Sequence, residues 1–257
     1  MHPLYNPHKL GLVYGPLIHQ LNASIPAARF ELEASRDYAA FEAKFRARGP
    51  ELLLPNPWQT LQALQSGYLV IAMAGDAADF KGLLIVRKDG PYQTLAALKG
   101  QAVAYPAPTA LAACVMPQWD LHRNGLDVLR DIDNRYVGSQ ESAILNVLGG
   151  QVAAGATWPP PWRAFQKEHP AEAAQLKVLW ETAPLLNNSV MVRDDMPQTL
   201  RDEVRKVLLS LHDTPTGLAI LAGMETARMH PADDASYAVV REFVARFERD
   251  VRPVAAR

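Results

Sequence analysis

The chain is expected to fold as an α/β protein of two lobes. Three features of the sequence carry that expectation. Apolar runs of strand length alternate with helical segments in two successive series. Glycine and proline punctuate the junctions. After the second series one further strand is followed only by helices. The simplest path leaves a first lobe, builds a second, and returns. The expected boundaries are 1–88 for lobe one, with 185–257 returning to it, and 89–184 for lobe two. Two segments would cross between the lobes, and a ligand would sit in the cleft where strand ends face each other.

The first series opens with Lys9–Tyr14 as a strand broken by Gly15-Pro16, and Phe30–Ala34 alternates like a second strand. Asp37 caps a helix running to Arg48, with Tyr38, Phe41 and Phe45 on one face and Lys44, Arg46 and Arg48 late, where positive charge suits the dipole. Glu51–Leu54 is a short strand, Trp58–Gln65 a helix ended by Gly67, and Tyr68–Ala74 and Phe80–Arg87 are strands. The β-α-β-α-β order argues for a mostly parallel sheet. In the second series Thr94–Lys99 is a short helix, Ala102–Tyr105 a strand, Ala110–His122 a helix interrupted by Pro117, and Arg135–Gly138 a strand. Leu176–Glu181 and Ser189–Arg193 follow as strands. The tail reads as three helices: Pro197–His212, Thr216–Met224 and Asp234–Asp250.

The stretch GSQESAILNVLGGQVAAGATWPPPW, residues 138 to 162, is half of a βαβ unit. Ser139 caps a helix whose apolar face is Ala143, Ile144, Val147 and Leu148, and Gly149-Gly150 ends it. Val152–Ala156 has little alternation, as suits a strand covered on both faces. Pro159, Pro160 and Pro161 lack amide donors, so the ladder stops and the prolines are expected to turn the chain away. Thr157 and Trp158 then stand at a strand's carboxyl end, where open α/β sheets bind ligands.

Net charge is −1, so no basic field for nucleic acid is evident. Cys114 is the single cysteine, which rules out an internal disulfide. The seven histidines form no i, i+4 metal pair, and no P-loop, GxGxxG or GxSxG is present, so neither metal nor cofactor is expected. MHPLYNPHKL lacks the basic segment and apolar core of a signal peptide. Either the protein is cytosolic or the numbering begins after a removed signal.

Several segments together resemble the phosphate/phosphonate-type periplasmic solute-binding proteins of ABC transporters. FKGLLIVRKDGPYQTLAALKGQAVAY (Phe80–Tyr105) has that family's crossover strand, R-x-D turn and L-x-x-L-K-G-x-x-V-A. The opening of the 138–162 stretch is similar to G-S-x-x-x-x-x-L-x-V-x-x-G-x-V-x-A-G-A. RDYAAF (Arg36–Phe41), NSVMVRDDMP (Asn188–Pro197) and DDASYAVVREF (Asp233–Phe243) resemble its helix start, return strand and C-terminal element. The resemblance implies a type 2 periplasmic binding protein fold, with two lobes closing on a solute about a hinge. It also implies a periplasmic location, an ABC permease as partner, and a monomer.

The family's D-P-x-S-T-S-G phosphonate cradle is altered. With Pro117 aligned to a family proline, Ala107 stands at the aspartate, Ala110, Leu111 and Ala112 at the hydroxyls, and Ala113 at the glycine. Thr109 supplies one hydroxyl nearby. The His-Asp-type pair after G-S becomes Gln140-Glu141, and an acidic residue after the final aromatic becomes Pro159. Phosphate and simple alkylphosphonates are therefore expected to bind weakly, and the solute to carry more apolar surface. Basic residues arriving from elsewhere would compensate.

The candidate ligand residues are Tyr14, Tyr38, Asn56, Trp58, Tyr105, Thr109, Gln140, Glu141 and Trp158. Five of them also have a structural reading: Tyr38 as a core aromatic, Trp58 as a hydrophobic staple, Gln140 and Glu141 as ordinary capping, Trp158 as core. Cys114 lies in an apolar helix and reads as a buried, inert thiol. Two alternatives to transport are a sensing domain of the same fold and an enzyme on it. No acid/base or nucleophile set supports the enzyme, and no helix-turn-helix precedes the lobes.

Overall fold

A computed structural model describes residues 7–255. Part of the stretch read for a leader lies outside them. The chain divides into two compact units: Met1–Ala77 with Leu186–Arg241, and Ala78–Leu185 with Glu242–Arg257. The division differs from the expected one in two respects. The first boundary precedes the Phe80–Arg87 strand instead of following it. The chain also crosses a third time, inside its last helix, so the tail does not belong wholly to the first unit.

The first unit begins with α1 (Pro7–Ser24), where a strand over Lys9–Tyr14 was expected. The longer window decides. Leu10, Tyr14, Leu17 and Leu21 recur at helical spacing and are all buried, while Leu12 on the other side is exposed. Pro16 is tolerated inside the helix at the loss of one amide donor. Phe30–Ala34 joins no ladder. Asn22 instead grips Phe30 at both backbone groups, accepting from its N–H at 2.7 Å and donating to its carbonyl at 2.9 Å. Helices α2 (Tyr38–Arg46) and α3 (Pro57–Leu64) flank β1 (Leu52–Leu53), and β2 (Tyr68–Ala74) follows.

The return strand β8 (Ser189–Arg193) pairs antiparallel with both β1 and β2. The sheet order is β1-β8-β2-β9, with β9 (Met229–His230) antiparallel to β2. The expected parallel sheet is thus not formed, because β8 inserts between the two strands that would have paired. Helices α8 (Gln198–Leu209) and α9 (Pro215–Gly223) also belong to this unit.

The second unit's sheet has the order β5-β4-β6-β3-β7. Strands β4 (Gln101–Tyr105), β5 (Ile132–Tyr136) and β6 (Ala154–Thr157) are parallel, whereas β3 (Leu83–Arg87) and β7 (Leu176–Glu181) run against them. Helices α5 (Gln140–Leu148), α6 (Pro159–Glu168) and α7 (Pro170–Ala173) contribute Ile144, Val147, Trp162, Phe165 and Ala173 to one core with Leu83, Ile85, Ala104 and Leu176. The three prolines do not turn the chain away; they open α6. Fixed φ suits a helix's first turn, whose amides have no intrahelical acceptor. Helix α4 (Met116–Arg123) is preceded by a π-helical turn at Leu111–Val115. The last helix, α10 (Ala238–Asp250), passes the unit boundary, and Phe243 sits edge-on to Trp119 at 6.0 Å within the second unit.

Two glycine substitutions test these assignments in opposite directions. A Cβ at Gly155 of β6 would stand 2.4 Å from the Ala143 carbonyl oxygen and 2.7 Å from Val147 Cγ2. Gly155→Ala is expected to cost about 1–3 kcal/mol, lowering Tm by roughly 3–10 °C. At Gly11 of α1 a Cβ meets nothing within 4 Å. Gly11→Ala should stabilise by about 0.5–1 kcal/mol through helix propensity. A fall in Tm for Gly11→Ala would contradict the helix.

Candidate functional site

In the second unit the carboxyl ends of β4, β5 and β6 lie side by side and are tied together. Val137 N–H donates to the Tyr105 carbonyl and Gly138 N–H to the Pro106 carbonyl, both at 2.9 Å, so the segments leaving β4 and β5 run as one surface. Gly138 takes φ +87°, the left-handed region that favours glycine. Ser139 Oγ then accepts the Ser142 N–H at 3.1 Å and caps α5. The hydroxyl of Thr157, at the end of β6, donates to Gln140 Oε1 at 3.0 Å, and both residues are buried.

Thus Tyr105, Thr109, Gln140, Glu141 and Trp158 converge on the ends of three parallel strands. Thr109 stands in the Pro106–Ala110 loop, buried. Glu141 is half-buried in the first turn of α5. Tyr105 is fully buried, and its hydroxyl meets no partner among the described residues. Burial holds that phenol well above its ordinary pKa. Trp158 is 5% exposed and packs on Phe80, ring centroids 5.4 Å apart, so one face of the indole is already core.

The electrostatics of this end follow from which helices present amides. Helix N-termini favour anions through free N–H groups and the dipole. The π-helical turn after Ala110 and the start of α5 both qualify. The start of α6 does not, since Pro159–Pro161 remove three consecutive donors. Ala110, Leu111 and Ala112 are buried and carry no hydroxyl.

In the first unit Asn56 caps α3 in a full capping box with Gln59. Its Oδ1 accepts the Gln59 N–H at 3.0 Å, while Gln59 Oε1 accepts the Asn56 N–H at 3.2 Å. Trp58 follows in the first turn, 3% exposed. Gln59 Nε2 donates to Glu42 Oε1 at 3.2 Å and so ties α3 to α2, which Tyr38 opens. Asp37 caps α2, and the Ala40 N–H with the Arg36 side chain holds its carboxyl below the usual range. Tyr14 is separated from this group. It lines a cavity of about 780 Å³ with Leu17, Leu52, Leu54 and Val190, and Tyr38, Asn56 and Trp58 have no part in its lining.

Sequence reasoning missed a buried polar chain in the first unit and a buried cation in the second. Thr60 Oγ1 lies 2.7 Å from Ser189 Oγ, the Tyr237 hydroxyl donates to the Asn187 carbonyl at 2.7 Å, and Asn188 Oδ1 is buried without a partner among the described residues. The consecutive asparagines ahead of a strand were the available signal. The cation is Arg252, beyond the last recognised segment, and nothing local in sequence marks it. Among the described residues, no three His, Cys, Asp or Glu side chains are placed to share a metal ion, and no helix is long and apolar enough to cross a membrane.

Residues 1–237 match the family model described as ABC transporter, phosphonate, periplasmic substrate-binding protein. Solved structures share the fold at low identity. A binding protein component of an ABC phosphonate transporter from Pseudomonas aeruginosa superposes with a TM-score of 0.88 at 16% identity, covering 96% of this chain and 84% of that one. PhnD1 of Prochlorococcus marinus, solved in complex with methylphosphonate, gives 0.87 at 19% identity and 96% coverage of both chains. The aliphatic sulphonate binding protein SsuA of Escherichia coli is more distant, at 0.61 and 15% identity, covering 94% of this chain and 84% of that one. The α/β fold expected from sequence is thus the observed one.

Cys114 follows the π-helical turn's alanines, and its environment is testable. Burial pushes the thiol up to about 12, against the pull of the Arg252 guanidinium. A raised pKa means the thiolate is absent at pH 8. Iodoacetamide at pH 8 should leave the native protein unlabelled and modify one cysteine in guanidinium chloride. Rapid labelling of the native state would show the thiol to be accessible and ionised.

Proposed function

Because the chain belongs to the periplasmic substrate-binding proteins of phosphonate ABC transporters, we propose that its solute is an organic phosphonate carrying an apolar group larger than methyl. Members of this family bind small-molecule solutes and work with an ABC permease. The proposal further places this chain in the periplasm as a monomer without catalytic activity. The family match is the reason for preferring an importer's receptor over a sensing domain of the same fold.

The observation that carries the solute class is the composition of the second unit's strand ends. The segment Pro106–Ala112 has two prolines without an N–H, an Ala110 N–H that donates to the Ala107 carbonyl, and Thr109 as its one hydroxyl residue, with alanine, leucine and alanine where the resemblance implies three hydroxyls. A hydrogen bond to a charged group is worth about 1.5–3 kcal/mol, so a headgroup alone is held weakly there. The prolines after Trp158 take away another set of donors beside its indole, which is 5% exposed. The arrangement trades polar contacts at the headgroup for apolar contact at the substituent.

Calorimetric titration with methylphosphonate and phenylphosphonate tests this. An extra burial of roughly 80 Å² at about 25 cal/mol per Å² gives ~2 kcal/mol, or about thirtyfold tighter binding of phenylphosphonate. Trp158→Leu should erase that preference while the protein still melts cooperatively. A submicromolar Kd for methylphosphonate, or equal affinity for the two ligands, defeats the proposal.

A further inference from the structure

Arg252 is the side chain in the second unit whose chemistry the fold does not account for. It is 9% exposed. Its Nε donates to Gln118 Oε1 at 2.8 Å, and Nη1 donates to the Pro253 and Val254 carbonyls at 2.7 and 3.2 Å. Nη2 donates to the Pro108 carbonyl at 3.2 Å and lies 3.4 Å from Cys114 Sγ. The guanidinium carbon stands 5.4 Å from the centre of the Phe247 ring. Every one of these acceptors is uncharged.

The acids closest in sequence are engaged elsewhere. Glu248 accepts the Val254 N–H at 3.2 Å, and Asp250 pairs with Arg249 at 2.8 Å. Among the described residues no carboxylate forms an ion pair with Arg252. Buried charges are ordinarily paired, because desolvation without a counter-charge costs several kcal/mol. Among the described residues this guanidinium is hydrogen-bonded but has no counter-charge.

Its position is the second observation. Nη2 bridges Pro108 and Cys114, the two ends of the segment that holds Thr109, Ala110, Leu111 and Ala112. One planar group therefore sets the spacing of the amides that begin the π-helical turn and places a fixed positive charge behind them. Gln118 extends the brace, its Nε2 donating to Asn134 Oδ1 at 2.9 Å on β5.

We infer that Arg252 supplies, through a permanent charge held behind the anion-binding segment, the selectivity for an anionic solute that the missing hydroxyls would have given. The inference rests on the receptor function proposed above and adds to it the source of anion preference. It also gives the chain beyond residue 237, where the family match ends, a role in binding.

The test is titration of phenylphosphonate into the wild type, Arg252→Gln and Arg252→Lys, with melting curves of each. Arg252→Gln keeps a planar donor but no charge, and should weaken binding about tenfold or more. Arg252→Lys keeps the charge, loses the bracket, and should recover most of that loss although its Tm falls as far. If Arg252→Gln does not fold, Arg252→Lys carries the test alone, with less than a threefold change expected. Equal affinity of wild type and Arg252→Gln overturns this inference and leaves the receptor function standing. A tenfold loss in Arg252→Lys overturns the role of charge. Absence of phosphonate binding by the wild type overturns both.

Discussion

The second unit is organised around one close approach, that of α5 to β6 at Gly155. A glycine there lets the Ala143 carbonyl and the Val147 side chain lie directly on the strand. That contact fixes the height of α5 over the sheet, and so the position of its first residue. Gln140 then meets the Thr157 hydroxyl at the strand's end. The loop after β4 is drawn to the same place by its backbone bonds to Val137 and Gly138. A side chain at 155 would push the helix outward and draw Gln140 away from Thr157.

Around that frame the chemistry is distributed unevenly. The helix that follows β6 begins with three residues that cannot donate, so its dipole is present without its hydrogen bonds. The helix that follows β4 begins with a π-helical turn, a feature often found at functional sites, and with the buried apolar side chains of Leu111, Ala112 and Ala113. Polarity returns from beneath, by way of a guanidinium delivered from the C-terminal segment.

The alternation of strands and helices in the second unit was legible because buried parallel strands are short apolar runs between glycine stops, and because Ser139 is a strong local cap, as Asp37 and Asn56 are in the first unit. Candidate residues at the ends of β4 and β6 were legible for the same reason: a strand end followed by a helix start is a local pattern. Lys9–Tyr14 was misread because its six residues alternate like a strand, and only the burial of Leu10, Tyr14, Leu17 and Leu21 along one face shows the longer period. Tyr14 went with it, into the wall of a cavity away from the other aromatics.

What the sequence alone determined was the α/β class, the family likeness, and the identity of most strands. These depend on residues close together in the chain. Only the tertiary structure decided that β8 enters between β1 and β2, that the chain crosses between units a third time, and that Arg252 stands behind a loop more than a hundred residues earlier. Each is a pairing of distant segments, selected by which edges and charges remain unsatisfied once local structure has formed, and no local pattern encodes it.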